Sequence, residues 1–178
     1  MEYLKTCIDG VFIIKPKVIK DERGYFYESF SEKDFIENVG EVKFVQDNQS
    51  KSCYGVVRGL HFQNGEYAQS KLVRCIKGII LDVAVDLRKD SPTYGKHVSA
   101  MLSEDNYQQL FIPRGFAHGF SVLSEEAIVQ YKCDNFYNKE SENGINPFDE
   151  KLNIDWLIPN DKIILSEKDK GWKKLDLK

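Results

Sequence analysis

The chain has 178 residues, of which 42% are hydrophobic, 12% aromatic and 30% charged, with a formal net charge of −3 at pH 7. That length buries a full hydrophobic core and fits one domain spanning residues 1–178. The acidic balance, with no basic stripe to offset it, argues against a general nucleic-acid binder, and the short apolar run Val11 to Ile14 is too brief for a signal peptide or a membrane span.

In chain order, Ser31 to Val39 reads as a helix, with Ser31 as N-cap and Asp34 in the capping-box position. Gly55 to Gln63 reads as an extended segment broken by glycines. Lys71 to Ile76 is a short alternating strand, ended by Lys77-Gly78. Ile79 to Leu87 alternates again, with Val83, Val85 and Leu87 on one face and Asp82, Ala84 and Asp86 on the other. Asp90 to Gly95 is a turn cluster. Leu110 to Ile112, Phe116 to Leu123 and Ala127 to Cys133 continue the strands, and the turn-rich C-terminal third closes with one or two short helices. Short, evenly spaced strands with few helices predict a mainly β fold, an antiparallel sandwich or barrel whose mouth can gather polar side chains.

The most informative stretch is Gly55-Val56-Val57-Arg58-Gly59-Leu60-His61-Phe62-Gln63, followed by Gln69-Ser70-Lys71. In a regular strand Arg58 and His61 would face opposite ways. A glycine bulge removes that restriction and lets a guanidinium, an imidazole and an ammonium share one pocket. An anion binder beside a titratable base suits an enzyme acting on a phosphorylated substrate. Of the other histidines, His97 follows a turn and carries no functional expectation, whereas His118 sits in an aromatic, glycine-punctuated segment that can line a pocket. Small β-barrels that bind metal usually carry an H-x-H pair. Here the residue two after His61 is Gln63, so no metal is expected. Cys7, Cys53, Cys75 and Cys133 show no C-x-x-C pairing and read as reduced thiols of a cytoplasmic protein.

A set of collinear motifs carries a resemblance. They are Asp21-x-Arg23-Gly24-x-Phe26-x-Glu28, Gln46-Asp47-Asn48-x-Ser50, Arg58 to Gln63, Lys71-Leu72-Val73-Arg74, Asp82 to Arg88 and Ser91-Pro92-Thr93-x-Gly95. Ile112-Pro113-x-Gly115-Phe116-Ala117-His118-Gly119-Phe120, Tyr131-Lys132-Cys133 and Leu165-Ser166-x-Lys168-Asp169 complete it. Together they resemble the dTDP-4-dehydrorhamnose 3,5-epimerase family over nearly the whole chain. The resemblance implies a cupin-type antiparallel jelly-roll barrel, a homodimer, no metal or organic cofactor, and a dTDP-linked 4-keto-6-deoxy sugar as substrate.

It also implies roles. His61 would be the base, because an ordinary imidazole is largely neutral near pH 7. Asp169 would be its carboxylate partner, Lys71 the cation at the developing enolate oxygen, and Tyr131 the acid on the opposite face. Tyr137 is the alternative acid, and Asp82 a candidate support for His61 or Lys71. Arg23 and Arg58 would hold the diphosphate. Gln46, Asn48 and Glu28 would meet base and ribose, with Phe26, which shares parity with Glu28, as a stacking face. His118, Glu142 and Lys168 match further positions near substrate. The expected reaction is inversion at C3 and C5. A single-carbon epimerase, a non-catalytic sugar-nucleotide binder and a metal-dependent oxygenase are the competing readings.

Overall fold

A computed structural model describes residues 1–176. Its elements are β1 (Glu2–Lys5), β2 (Phe12–Lys15), β3 (Ile19–Asp21), β4 (Gly24–Phe26), α1 (Glu32–Asn38), β5 (Gln46–Cys53), β6 (Val57–Gln63), β7 (Lys71–Lys77), β8 (Ile79–Asp86), β9 (His97–Ser103), β10 (Gln109–Ile112), β11 (Phe116–Val122), β12 (Glu126–Cys133), β13 (Glu142–Gly144) and α2 (Glu167–Lys170). One sheet runs β1-β2-β10-β7-β12-β5 and the other β13-β6-β11-β8-β9, while β3 and β4 form a separate hairpin. From β5 onward the chain repeatedly crosses from one sheet to the other, which is jelly-roll connectivity and fits the mainly β expectation. Ser31 caps α1 as its sequence implies, its hydroxyl accepting from the Asp34 N–H at 3.4 Å.

Three apolar clusters hold these layers. Val73, Cys75, Leu110 and Val129 of the first sheet meet Ile80, Ala84, Leu102, Phe116 and Phe120 of the second, filling the space between them. Outside the second sheet, Leu81, Val83, Val85 and Ala117 are covered by Ile145, Leu152, Trp156 and Ile158 from the C-terminal segment. Phe35 of α1 packs with Ile14, Leu72 and Phe111 on the outside of the first sheet. The alternation read for residues 79–87 therefore holds, but both of its faces are buried. Burying apolar side chains such as these contributes roughly 1.5–3 kcal/mol each, which is what fixes the register.

Two departures from regular pairing shape the site. Strand β5 has no apolar run, so periodicity missed it. Its residues alternate nonetheless, with Gln46, Asn48, Ser50 and Ser52 less exposed than Asp47, Gln49 and Lys51. Strand β6 carries the bulge that its glycines suggest. His61 pairs with His118 and Arg58 with Phe120, so β6 spends one more residue than β11 between the two pairs. Gly59 adopts φ +123°, and a Cβ there would lie 2.6 Å from Gly119 Cα and 2.8 Å from the His118 carbonyl oxygen. The two strands approach too closely for any side chain at 59. All four cysteines are free thiols. Among the described residues no helix is long and apolar enough to cross a membrane.

Candidate active site

Residues from both sheets line a cavity of about 300 Å³. Its first wall comes from β6 and β13 and carries His61, Phe62, Gln63 and Glu142. The opposing wall comes from β5, β7 and β12 and carries Gln46, Asn48, Lys71 and Tyr131, with Gln69 and Tyr137 on the rim. His61 and Tyr131 thus belong to different sheets and meet across one cavity. Gln63 fastens the rim. Its amide donates to the Tyr67 and Phe136 carbonyls at 2.6 and 3.1 Å and accepts from the Asn138 N–H at 2.7 Å.

His61 Nε2 lies 2.5 Å from Asp169 Oδ1. Helix α2 exists to place that carboxylate. Ser166 caps it and accepts from the Asp169 N–H at 3.1 Å, turning the side chain inward, where it is 3% exposed. Burial alone would raise the Asp169 pKa. Hydrogen bonds from His61, Ser166 and Gly59 outweigh it, so the carboxyl sits below its ordinary value and stays ionised. An ionised acceptor on Nε2 fixes the proton there and leaves Nδ1 as the basic nitrogen.

A second imidazole–carboxylate pair lies beside the first. His118 Nε2 is 2.7 Å from Asp82 Oδ1, and both residues are buried. Burial pulls the His118 pKa below the usual imidazole value despite Asp82, so this ring is neutral at pH 7. Asp82 therefore holds His118 directly, while of the two groups it was expected to support, Lys71 feels its field, which opposes the effect of burial on the ammonium. Parity gave its face, but the partner is set by the diagonal reach between β8 and β11, where Asp82 pairs with Phe120 and His118 with Ala84.

Lys71 faces the cavity with no carboxylate in ion-pair reach among the described residues, its ammonium 5.7 Å from the Tyr131 ring centroid. Desolvation lowers its pKa, opposed by the fields of Cys133, Asp82 and Glu142. A lysine whose folded pKa lies below its unfolded value destabilises the fold wherever it must be charged. That cost is complete below the folded pKa and vanishes as pH rises to the unfolded value of about 10.4. Lys71→Met is accordingly expected to raise the urea midpoint at pH 7, with the gain shrinking towards pH 10. A variant less stable than the parent at pH 7 would contradict this.

Burial raises the Tyr131 pKa above that of an ordinary phenol, against an opposing pull from Arg58, so the hydroxyl stays protonated at neutral pH. Tyr137 is also raised, by its hydrogen bond to Glu142, whose Oε2 accepts from the hydroxyl at 2.7 Å. Glu142 also meets Lys168 Nζ at 2.5 Å. These two contacts outweigh its burial and hold it below the usual carboxylate range. Arg58 is braced by Ser52, its Nε donating to Oγ at 3.0 Å. With Lys168 it lines a neighbouring cleft that shares His61 with the first cavity and also reaches Asp169. Gln46 donates to Asn48 Oδ1 at 3.0 Å, aligning both amides on the cavity wall.

Three expected residues do not join them. Arg23 is 85% exposed and paired with Asp21 at 2.5 Å, Phe26 is 71% exposed, and Glu28 is exposed beyond the end of β4, so the parity expected for Phe26 and Glu28 does not apply. Phe26 lines a separate groove with Tyr25, Tyr27, Arg74 and Tyr107. Within one chain this hairpin contributes nothing to the His61 cavity. Residues the sequence reading passed over include Ser52, the brace of Arg58, and Trp172, whose indole reaches Asp169. Among the described residues no group of three or more His, Cys, Asp and Glu side chains converges as a metal site.

A family profile described as dTDP-4-dehydrorhamnose 3,5-epimerase matches residues 5–176. The dTDP-4-dehydrorhamnose 3,5-epimerase of Methanothermobacter thermautotrophicus is 55% identical, over 97% of this chain and 94% of that protein. The Escherichia coli K12 enzyme of the same name is 52% identical, over 99% and 95%. The crystal structure of dTDP-6-deoxy-D-glucose-3,5-epimerase from Legionella pneumophila, in complex with dTDP-4-keto-L-rhamnose, superposes with a TM-score of 0.95 at 48% identity and covers 99% of this chain and 93% of that one.

Proposed function

Because the chain belongs to the dTDP-4-dehydrorhamnose 3,5-epimerase family, and so is an isomerase with a cupin-type jelly roll, we propose that it inverts C3 and C5 of dTDP-4-dehydro-6-deoxy-D-glucose to give dTDP-4-dehydro-L-rhamnose. The observation that carries this reading is the placement of His61 and Tyr131 on opposite walls of one cavity. Inversion beside a ketone needs a base on one face of the sugar ring and an acid on the other. His61 takes the C–H proton, the electron pair moves into the C4 carbonyl as an enolate, and Tyr131 returns a proton from the far side. Lys71 on the cavity wall is proposed as the cation for the enolate oxygen, and His118, its ring centroid 6.3 Å from that of Tyr131, as a polar neighbour. Lys71 is assigned the charge: burial disfavours the charged form of both groups, but lysine starts from the higher ordinary value and the fields of Cys133, Asp82 and Glu142 oppose the loss.

Arg58 and Lys168 are proposed to take the diphosphate, and Gln46, Asn48 and Glu142 the sugar and nucleoside. Arg23, Phe26 and Glu28 can serve that substrate only if their hairpin enters the cavity of a second copy. We therefore infer a homodimer in which each chain completes its neighbour's site. The exposure of Ile19, Tyr25 and Phe26 (57%, 59% and 71%) suits such an exchange. Four free thiols suit a reducing compartment, and we place the enzyme in the cytoplasm.

The test is incubation with the keto sugar nucleotide in heavy water, followed by proton NMR. Deuterium at both C3 and C5 with rhamno-configured product is expected. Label at one carbon would make this a single-carbon epimerase, and binding without label a non-catalytic protein. Arg58→Ala should weaken dTDP binding about 10- to 100-fold by calorimetry, the range of a lost charge-assisted contact, with kcat little altered. A fall in kcat at unchanged affinity would move Arg58 from binding to chemistry.

A further inference from the structure

The C-terminal segment does more than deliver Asp169. Directly after α2, Trp172 folds back over the His61–Asp169 pair. Its Nε1–H points at Asp169 Oδ1 from 3.3 Å, the same oxygen that meets His61, and the indole stands edge-on to the His61 imidazole with ring centroids 6.3 Å apart. Lys168 Nζ sits 5.8 Å over the indole while holding Glu142, so the ring also borders the cleft wall. The space it occupies is made by Gly144. A Cβ there would lie 2.3–2.5 Å from three indole ring atoms, and Gly144 is the residue directly opposite His61 in the β13–β6 register. The same segment is tied down beyond the ring, where the Leu175 N–H donates to Asp149 Oδ2 at 2.7 Å and the Asn146 N–H to the Lys173 carbonyl at 2.9 Å.

We propose that Trp172 is a positioning residue for the base: its indole N–H and ring hold the Asp169 carboxylate, and through it the His61 imidazole, in the orientation that removes the substrate proton. Ser166 and Gly59 already hold the carboxylate as a whole, but a carboxylate oxygen that meets only the imidazole keeps some freedom to tilt, and the imidazole follows it. A second donor on the same oxygen removes that freedom, as outer partners do for other oriented histidines. The inference rests on His61 being the base and Asp169 its partner.

Trp172→Phe keeps an aromatic ring but removes the N–H together with the pyrrole part of the indole. It is expected to slow solvent-deuterium exchange about tenfold, the lower end for a hydrogen bond to a charged group, with KM held within about twofold. Placed on Asp169→Asn, the same change should have no further effect, because the carboxylate it acts through is gone. Gly144→Ala, which crowds the indole and leaves its N–H intact, should reproduce the loss. Normal exchange in Trp172→Phe, a tenfold loss that persists on Asp169→Asn, or a loss expressed only in KM would each overturn the proposal. His61→Asn measured alongside separates the two levels. If it exchanges normally, the assignment of the base fails and this inference with it. If it is inactive while Trp172→Phe is normal, only the role of Trp172 fails.

Discussion

Replacing His61 by alanine is expected to abolish exchange of the substrate C–H protons with solvent, lowering it about 10³-fold or more, while dTDP binds nearly as before. A positioned general base contributes roughly 10²–10⁴ in rate, and here loss of the imidazole also ends the use of Asp169. Binding survives because the groups assigned to the nucleotide are held independently of His61. Arg58 rests on Ser52, Gln46 on Asn48, and Glu142 on Lys168 and Tyr137. Alanine does leave a buried carboxylate short of a partner, which costs stability. His61→Asn controls for this by offering Asp169 an amide donor with no basic nitrogen. Both variants should be folded by circular dichroism, bind dTDP by calorimetry and fail in the heavy-water assay. An asparagine variant that exchanges at the parental rate would move the base elsewhere, with His118 the nearest imidazole.

How much of this was legible beforehand depended on whether a residue's role follows from its own strand. The apolar alternation of 79–87, the Ser31 cap and the glycine bulge at 59 are local facts, written in adjacent residues, and the structure agrees with each. Strand β5 was hidden because it lines a polar cavity, so its inward positions are Gln, Asn and Ser where a core strand would show Val or Ile. The His61–Asp169 contact joins residues 108 apart and depends on a four-residue helix, which no periodicity announces. Only the family resemblance singled out Asp169. Asp82 shows the converse case, since parity named its face and only strand register could name His118 as its direct partner. The Arg23–Glu28 motif is legible as a pattern, yet its hairpin stands apart from the cavity in one chain, and no single-chain reading could say where it belongs.

Tyr131→Phe is expected to divide the reaction into its two halves. Abstraction of the proton by His61 needs no phenol, so deuterium should still enter the substrate, at a rate within about tenfold of the parent. Reprotonation from the opposite wall does need it, and formation of inverted product should fall about 10²-fold or more, because proton delivery is left to water. The environment of the hydroxyl favours it as the donor. Burial raises its pKa, so the proton is present at neutral pH, and among the described residues no hydrogen bond engages it. The Tyr137 hydroxyl is already committed to the Glu142 carboxylate on an exposed rim, where water can replace it, so Tyr137→Phe should reduce activity only a few-fold. Label returned on the original face, with starting configuration retained, would be the signature of a working base and a missing acid. Equal loss of exchange and inversion in Tyr131→Phe would mean that the phenol acts in the first step, as an electrophile beside Lys71, and that the proton of inversion comes from another group. The ratio of the two rates, measured in one NMR tube, decides between these outcomes without reference to protein concentration.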